Sequence, residues 1–222
     1  MNKNQPKILG LLLFITCLVG FIALANMAYR HHLLFVDLPT ARDAPKQVVG
    51  QLASILQLIS LPGKTAIAGA SILGVAALLW IKSYRREALF TLAVGGVDAL
   101  SIVVKHVVNR PGPQHIGIVV GQSPEATFPS SHIVHYFAFF GLLVFFMLGL
   151  NKLPAKLRVT VSLLSIGLIL AIPFSRVFLA EHWVSDVLGG ALLGIMSLIV
   201  LIWLYCADWF LPKLKKQFVV ND

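Results

Sequence analysis

Along most of this chain, apolar residues do not alternate with polar ones; they run on for about the width of a membrane and then stop. Such stretches cover Ile8 to Tyr29, Thr65 to Tyr84, Ala88 to Val108, Ile133 to Leu150, Val159 to Ala180 and Val184 to Tyr205. A helix needs about 20 apolar residues to cross about 30 Å of hydrocarbon. The pattern therefore predicts an all-α bundle of six transmembrane helices, built as one domain over residues 1–222 with its core helices between about 65 and 206. The first stretch follows Lys3 and Lys7, as a secretory signal would. It is longer than a signal's apolar region and leads into "MAYRHH" without a clear cleavage site, so it is expected to be retained as a helix.

Two segments between the apolar runs carry their own patterns. From Arg30 to Lys64, the residues Val48, Val49, Leu52, Ile55, Leu56 and Ile59 recur at helical spacing, with Gln47, Gln51 and Ser54 between them. That periodicity predicts an amphipathic helix lying in the membrane interface, either capping the bundle or guiding a lipid towards a site. The segment "NRPGPQHIGIVVGQSPEATFPSSH" is rich in glycine, proline and polar residues between two spans. Loops of this kind on a rigid scaffold often carry function.

Composition agrees with a membrane protein: 58% hydrophobic residues, 12% charged residues and a mean hydropathy of +0.86 exclude an ordinary soluble domain. The net charge of +9 does not point to nucleic acid, because no basic stripe or recognition motif accompanies it. The cations flank the spans instead, where anionic lipid and the orientation rule place them. Lys3, Lys7, Lys82, Arg85, Arg86, Lys152, Lys156, Arg158, Lys213, Lys215 and Lys216 fall on one side, which is expected to be cytoplasmic and to hold both termini. Cys17 and Cys206 lie within apolar runs and read as small buried side chains rather than a disulfide.

On the opposite side, three groups of ionisable residues end three different spans: "KHVVNRPGP", "FPSSH" and "SRVFLAEHWVSD". A charge at membrane depth costs about 2.5–3.5 kcal/mol, so several at one level call for mutual pairing or a ligand. His182 and Asp186 are four residues apart, one helical turn, so the carboxylate can hold one ring nitrogen and leave the other to attack an electrophile. The same pair also fits a plain interfacial histidine beside an acid at a helix start. Proline and serines before the run at Ile133 mark a helix N-terminus, where free backbone N–H groups favour an anion, and Ser130, Ser131 and His132 add side-chain donors there. Simple capping by a serine fits the same residues. Lys105, Arg110 and Arg176 supply cations suited to the oxygens of a transferring phosphoryl group. A zinc site built from His132 and His135, with His115, His31 and His32 nearby in sequence, is the rival reading. The many cations and the absence of clustered cysteines or carboxylates argue against it, so neither metal nor cofactor is expected.

In this order the three groups resemble the signature of the type 2 phosphatidic acid phosphatase superfamily, which is related in fold to the vanadium haloperoxidases: KxxxxxxRP, PSGH and SRxxxxxHxxxD. The third part is met at Ser175, Arg176, His182 and Asp186. The second reads Pro129, Ser130, Ser131 and His132, with serine in place of glycine. In the first, Lys105 and Pro113 keep their spacing, but Gly112 stands where the family has arginine and Arg110 lies two residues earlier. The resemblance implies that His182 is a nucleophile forming a phosphohistidine, Asp186 orients it and His132 is the general acid. It also implies that Lys105, Arg176, Ser130 and the Ser131 backbone hold phosphate. Arg110 is taken as the substitute for the missing arginine. The implied activity is removal of phosphate from a lipid phosphate or isoprenoid diphosphate substrate by an enzyme held among membrane lipids. The rivals are a protein that only binds phosphate head groups and a structural or transport subunit. Retention of both His132 and His182 favours the enzyme, because binding an anion needs no acid and no nucleophile.

Overall fold

The computed structural model describes residues 5–44, 46, 48, 50–113 and 126–207, and all the regular structure among them is helical. The helices are α1 (Gln5–Tyr29), α2 (Asp37–Asp43), α3 (Gln51–Ser60), α4 (Thr65–Ile81), α5 (Arg85–Val108), α6 (Ser131–His135), α7 (Gly141–Gly149), α8 (Ala155–Phe178) and α9 (Val184–Cys206). A π-turn over Tyr136–Phe140 joins α6 to α7, so Ser131–Gly149 is one continuous span. Lys3, Val49, Gln47, His115, Lys213, Lys215 and Lys216, named above for topology, amphipathicity or metal, lie outside the described residues.

Five of the expected spans are long and apolar enough to cross a membrane. The sixth is shorter than the sequence pattern implies: α4 stops at Ile81 after 17 residues, and α3 with its 3₁₀ extension Leu61–Gly63 meets it at a 56° bend. Large apolar side chains face outward along the spans, among them Leu9, Leu73, Val107 and Leu163, each between 64% and 69% exposed. In water such a surface would aggregate; in lipid it is the solvent-facing side.

The amphipathic pattern folds as α3, which carries Leu52, Ile55, Leu56 and Ile59, while Val48 precedes it and a further short helix, α2, lies earlier in the segment. Helix α3 turns Leu56 and Ser60 inward onto the end of α8. Ser175 Oγ donates to the Leu56 carbonyl at 2.7 Å, and the Ser60 and Ser175 hydroxyls share a 2.6 Å hydrogen bond. The segment is therefore tied to one end of the bundle by buried polar contacts.

Inside the bundle α9 is central, packing against α1, α5 and the span that begins at α6. Glycines let it approach. A Cβ at Gly190 would lie 2.8 Å from the Ser130 carbonyl oxygen, and one at Gly194 would lie 2.6 Å from Phe137 Cβ. Without a hydrophobic drive between helices in lipid, such small-residue contacts set how close two backbones come. A larger residue at Gly194 meets backbone-anchored atoms rather than a flexible tip. We expect Gly194→Leu to cost about 1–3 kcal/mol, the range for overpacking, read as a lower unfolding temperature in detergent.

Candidate active site

The three polar groups meet at one end of the bundle because each ends a helix there. Helix α5 closes on Asn109 in the left-handed region (φ 46°), a conformation that asparagine tolerates, and the chain turns so that Arg110 points back into the protein. Between α8 and α9, Ala180 also takes a positive φ of 54° and reverses the chain before His182. The Ser130 N–H donates to the Asp186 carbonyl at 3.2 Å, which ties the start of α6 to the first turn of α9. His132 thus lies within electrostatic reach of Arg176, His182 and Lys105, and His182 within reach of Arg176, Asp186 and Lys105.

Three donors in this group have no protein partner. Ser130 Oγ, Ser131 Oγ and Arg176 Nε are buried with no hydrogen-bond partner among the described residues. A buried polar atom left unpaired costs more than a typical hydrogen bond returns, so three in one place mark a site rather than a packing accident. Arg176, 3% exposed, is held by Ser60 Oγ at 2.9 Å from its Nη1 and by an ion pair with Glu181. The ring of His132 is placed by Gly63, whose added Cβ would lie 2.3 Å from His132 Cδ2. Only glycine there allows the imidazole its position.

His182 Nδ1 lies 3.7 Å from Asp186 Oδ2, close enough for attraction but longer than a hydrogen bond. The other Asp186 oxygen accepts from Arg110 Nη1 at 2.5 Å, and Oδ2 also accepts the Trp183 backbone N–H at 3.1 Å. Burial pulls the His182 imidazole down to about 4; Asp186 opposes that shift, while the Arg176 and Lys105 cations add to it. The ring is therefore neutral at pH 7, with its lone pair available.

Arg110 is placed differently from its expected role as a phosphate clamp. Its side chain is 1% exposed, and both Nη atoms are committed: Nη1 to Asp186 and to Ser185 Oγ at 2.7 Å, Nη2 to Asp37 Oδ2 at 3.2 Å and to the His32 carbonyl at 3.0 Å. Having turned inward at Asn109, it reaches the Asp186 oxygen bonded away from His182. Asp37 completes the arrangement. Fully buried, it also accepts from the Ser185 N–H, the Ser185 hydroxyl and the Leu34 N–H at 2.6–2.9 Å. The Trp183 indole donates to the Pro111 carbonyl at 2.9 Å and pins the same loop.

Asp37, Ser185, Ser60 and Gly63 also belong to this end of the molecule, and none of them falls among the candidate residues of the three polar groups. A signal existed for Asp37: a lone acid in "LLFVDLP", beside the outer end of a span, needs a cation. The histidines of the rival zinc reading are dispersed. His31 and His32 are exposed, and His135 bonds Asp98, while no group of three His, Cys, Asp or Glu side chains suited to a metal occurs among the described residues.

Removing Arg110 would leave two buried carboxylates without their shared cation. Arg110→Ala is expected to lower stability by about 3–5 kcal/mol, the scale for breaking a buried ion pair, measured by denaturation in detergent. A fully stable Arg110→Ala protein with weakened phosphate affinity alone would instead restore the phosphate-clamp role.

Comparison with known proteins agrees with the geometry. The family model of the PAP2 superfamily matches residues 86–209. Phosphatidylglycerophosphatase B of Bacillus subtilis (strain 168) is 28% identical over 126 residues, which are 56% of this chain and 60% of that protein, so the match spans less than two thirds of the relative. The fold is shared with the crystal structure of a transmembrane PAP2 type phosphatidylglycerolphosphate phosphatase from Bacillus subtilis, at a TM-score of 0.73 and 21% identity, over 86% of this chain and 94% of that one. With the family model covering more than half of its length, this chain belongs to the PAP2 superfamily of membrane phosphatases.

Proposed function

We propose that this protein removes the terminal phosphate of a lipid phosphate or isoprenoid diphosphate at the extracytoplasmic face, without metal, through a phosphohistidine on His182. The observation that carries this reading is the cluster of buried, unpartnered donors around two histidines: Ser130 Oγ, Ser131 Oγ and Arg176 Nε beside His182 and His132. Such an arrangement suits the spread charge of a phosphoryl group in transfer. A protein that only bound head groups would have use for the cations but none for a neutral, buried imidazole.

In the first half-reaction, His182 attacks phosphorus through Nε2, the nitrogen turned from Asp186. The bond from phosphorus to the leaving oxygen breaks, its electron pair goes to that oxygen, and His132, which takes up a proton once the phosphate anion lies beside it, supplies that proton. Asp186 offsets the positive charge left on the His182 ring, while Arg176, Lys105, Ser130 and the Ser131 N–H hold the phosphoryl oxygens. In the second half-reaction, His132 takes a proton from an attacking water, the P–N bond breaks, and inorganic phosphate leaves His182 neutral. The name of the similar Bacillus subtilis protein makes phosphatidylglycerophosphate the first substrate to test.

The sidedness follows from charge. Lys82, Arg85, Arg86, Lys152, Lys156 and Arg158 cluster at the helix ends opposite Lys105, Arg176 and His182, which supports cytoplasmic termini and an outward site.

Phosphate release by purified protein in detergent with EDTA present is the direct test. Wild type is expected to turn over and to be inhibited by vanadate. His182→Ala should lose several orders of magnitude in kcat/KM, and kcat/KM of the wild type should fall as pH drops through about 4, where His182 takes up a proton. Loss in EDTA restored by zinc or magnesium would overturn the mechanism.

For the sidedness, a cysteine introduced at Gln122, between α5 and α6 in the sequence, should react with an impermeant reagent added to intact cells. Reaction only after permeabilisation would reverse the orientation.

A further inference from the structure

One polar pair lies inside the bundle, below the catalytic group, and the mechanism does not use it. His135 Nδ1 bonds Asp98 Oδ2 at 2.9 Å, joining α6 to α5. The histidine is 2% exposed and the Asp98 side chain 24%. The ring stacks on Phe139 with centroids 5.1 Å apart and meets Tyr136 and Phe140 edge-on, so its plane is set by the aromatic residues of the π-turn. Turns of this kind often occur at functional sites. Two atoms of the pair remain buried and unpartnered among the described residues: His135 Nε2 and Asp98 Oδ1.

A staple between two helices is the simplest use for such a pair, and it falls short. An interhelical hydrogen bond inside a membrane contributes little, less than placing a carboxylate there costs. Nor does stapling call for the two free atoms. Their character is informative. A carboxylate at Nδ1 fixes the proton on that nitrogen, so Nε2 presents a lone pair. Asp98 Oδ1 is likewise an acceptor, and the pair therefore asks its ligand for a donor.

Position indicates which ligand. Asp98 lies seven residues before Lys105 on α5, two turns or about 10 Å deeper on the same face. His135 lies one turn deeper than His132 on α6, within its electrostatic reach. The unpartnered atoms of the pair thus lie one to two turns below the residues that the phosphatase reading gives to phosphate. Resting on the phosphatase reading above, we propose that His135 and Asp98 form a subsite for a hydroxyl on the linker between phosphate and tail. The subsite selects hydroxyl-bearing lipid phosphates over isoprenoid phosphates and fully acylated ones, which carry no donor at that place. An ammonium is disfavoured by the cations one to two turns above.

The test uses a matched pair of ligands differing by one group: 1-acyl-glycerol 3-phosphate, with its free 2-hydroxyl, and its 2-deoxy analogue. Dissociation constants are measured on His182→Ala, which binds without turnover, and kcat/KM on the wild type. The hydroxylated ligand is expected to bind about tenfold or more tightly, the scale of a hydrogen bond to a charged acceptor. In the double variant His135→Phe, Asp98→Leu, placed in the His182→Ala background, the ratio should fall to near one. That variant removes both partners together and leaves neither orphaned, so the bundle should tolerate it. Equal binding of the pair before the double substitution overturns the subsite, as does a ratio that survives it. Failure of the wild type to release phosphate from any lipid while the binding ratio holds overturns the phosphatase reading and leaves the subsite standing.

Discussion

The polar end of this helix bundle depends on one buried cation. Arg110 stands between Asp37 and Asp186, all three at most 1% exposed, in a setting where an isolated carboxylate would be driven to the neutral form. Asp186, held by that arginine on one oxygen, presents its other oxygen to the His182 imidazole at 3.7 Å, the ring that takes up positive charge in the proposed mechanism.

The same interaction joins distant parts of the chain. Asp37 belongs to α2, Arg110 to the turn after α5, and Asp186 to the first turn of α9. The family match begins at residue 86, so Asp37 and the α3 contacts through Ser60 come from outside it. The segment between α1 and α4 is thus a wall of the site: Asp37 steadies the carboxylate, Ser60 holds Arg176, and Gly63 gives His132 room. Close approach of α9 to α6 through Gly190 completes the enclosure by bringing Ser130 against Asp186.

Lipid as solvent gives this design its order in depth. At the helix ends, unpaired N–H groups and cations can gather around an anion. Deeper in the bundle every polar group needs a partner, and the His135–Asp98 pair, with two atoms left over, is the exception among the features described. The level of each ionisable residue along its helix follows from residue count and a rise of about 1.5 Å per residue. In the proposed reading, chemistry at the helix ends and recognition below it are laid out along the same two helices.

The membrane class, five of the six spans and the three polar groups were legible in the chain alone, because apolar runs of membrane width and charges at their ends carry large free energies that no tertiary detail reverses. Spacing paired His182 with Asp186, and Ser175 and Arg176 joined them as a set through the resemblance to the family motif. The direction in which Arg110 points was decided only by the tertiary structure. A turn through Asn109 in the left-handed region sends it to Asp186 and Asp37, and no local pattern records where a long side chain finds its counter-ion. The same holds for Asp37, Ser60 and Gly63. Each acts on the site across more than 65 residues of sequence, through hydrogen bonds as short as 2.6 Å for Asp37 and 2.9 Å for Ser60 and through close packing for Gly63. The docking of Leu56 and Ser60 on the end of α8 was likewise a tertiary outcome, because the periodicity of α3 marks an apolar face without saying what it packs against.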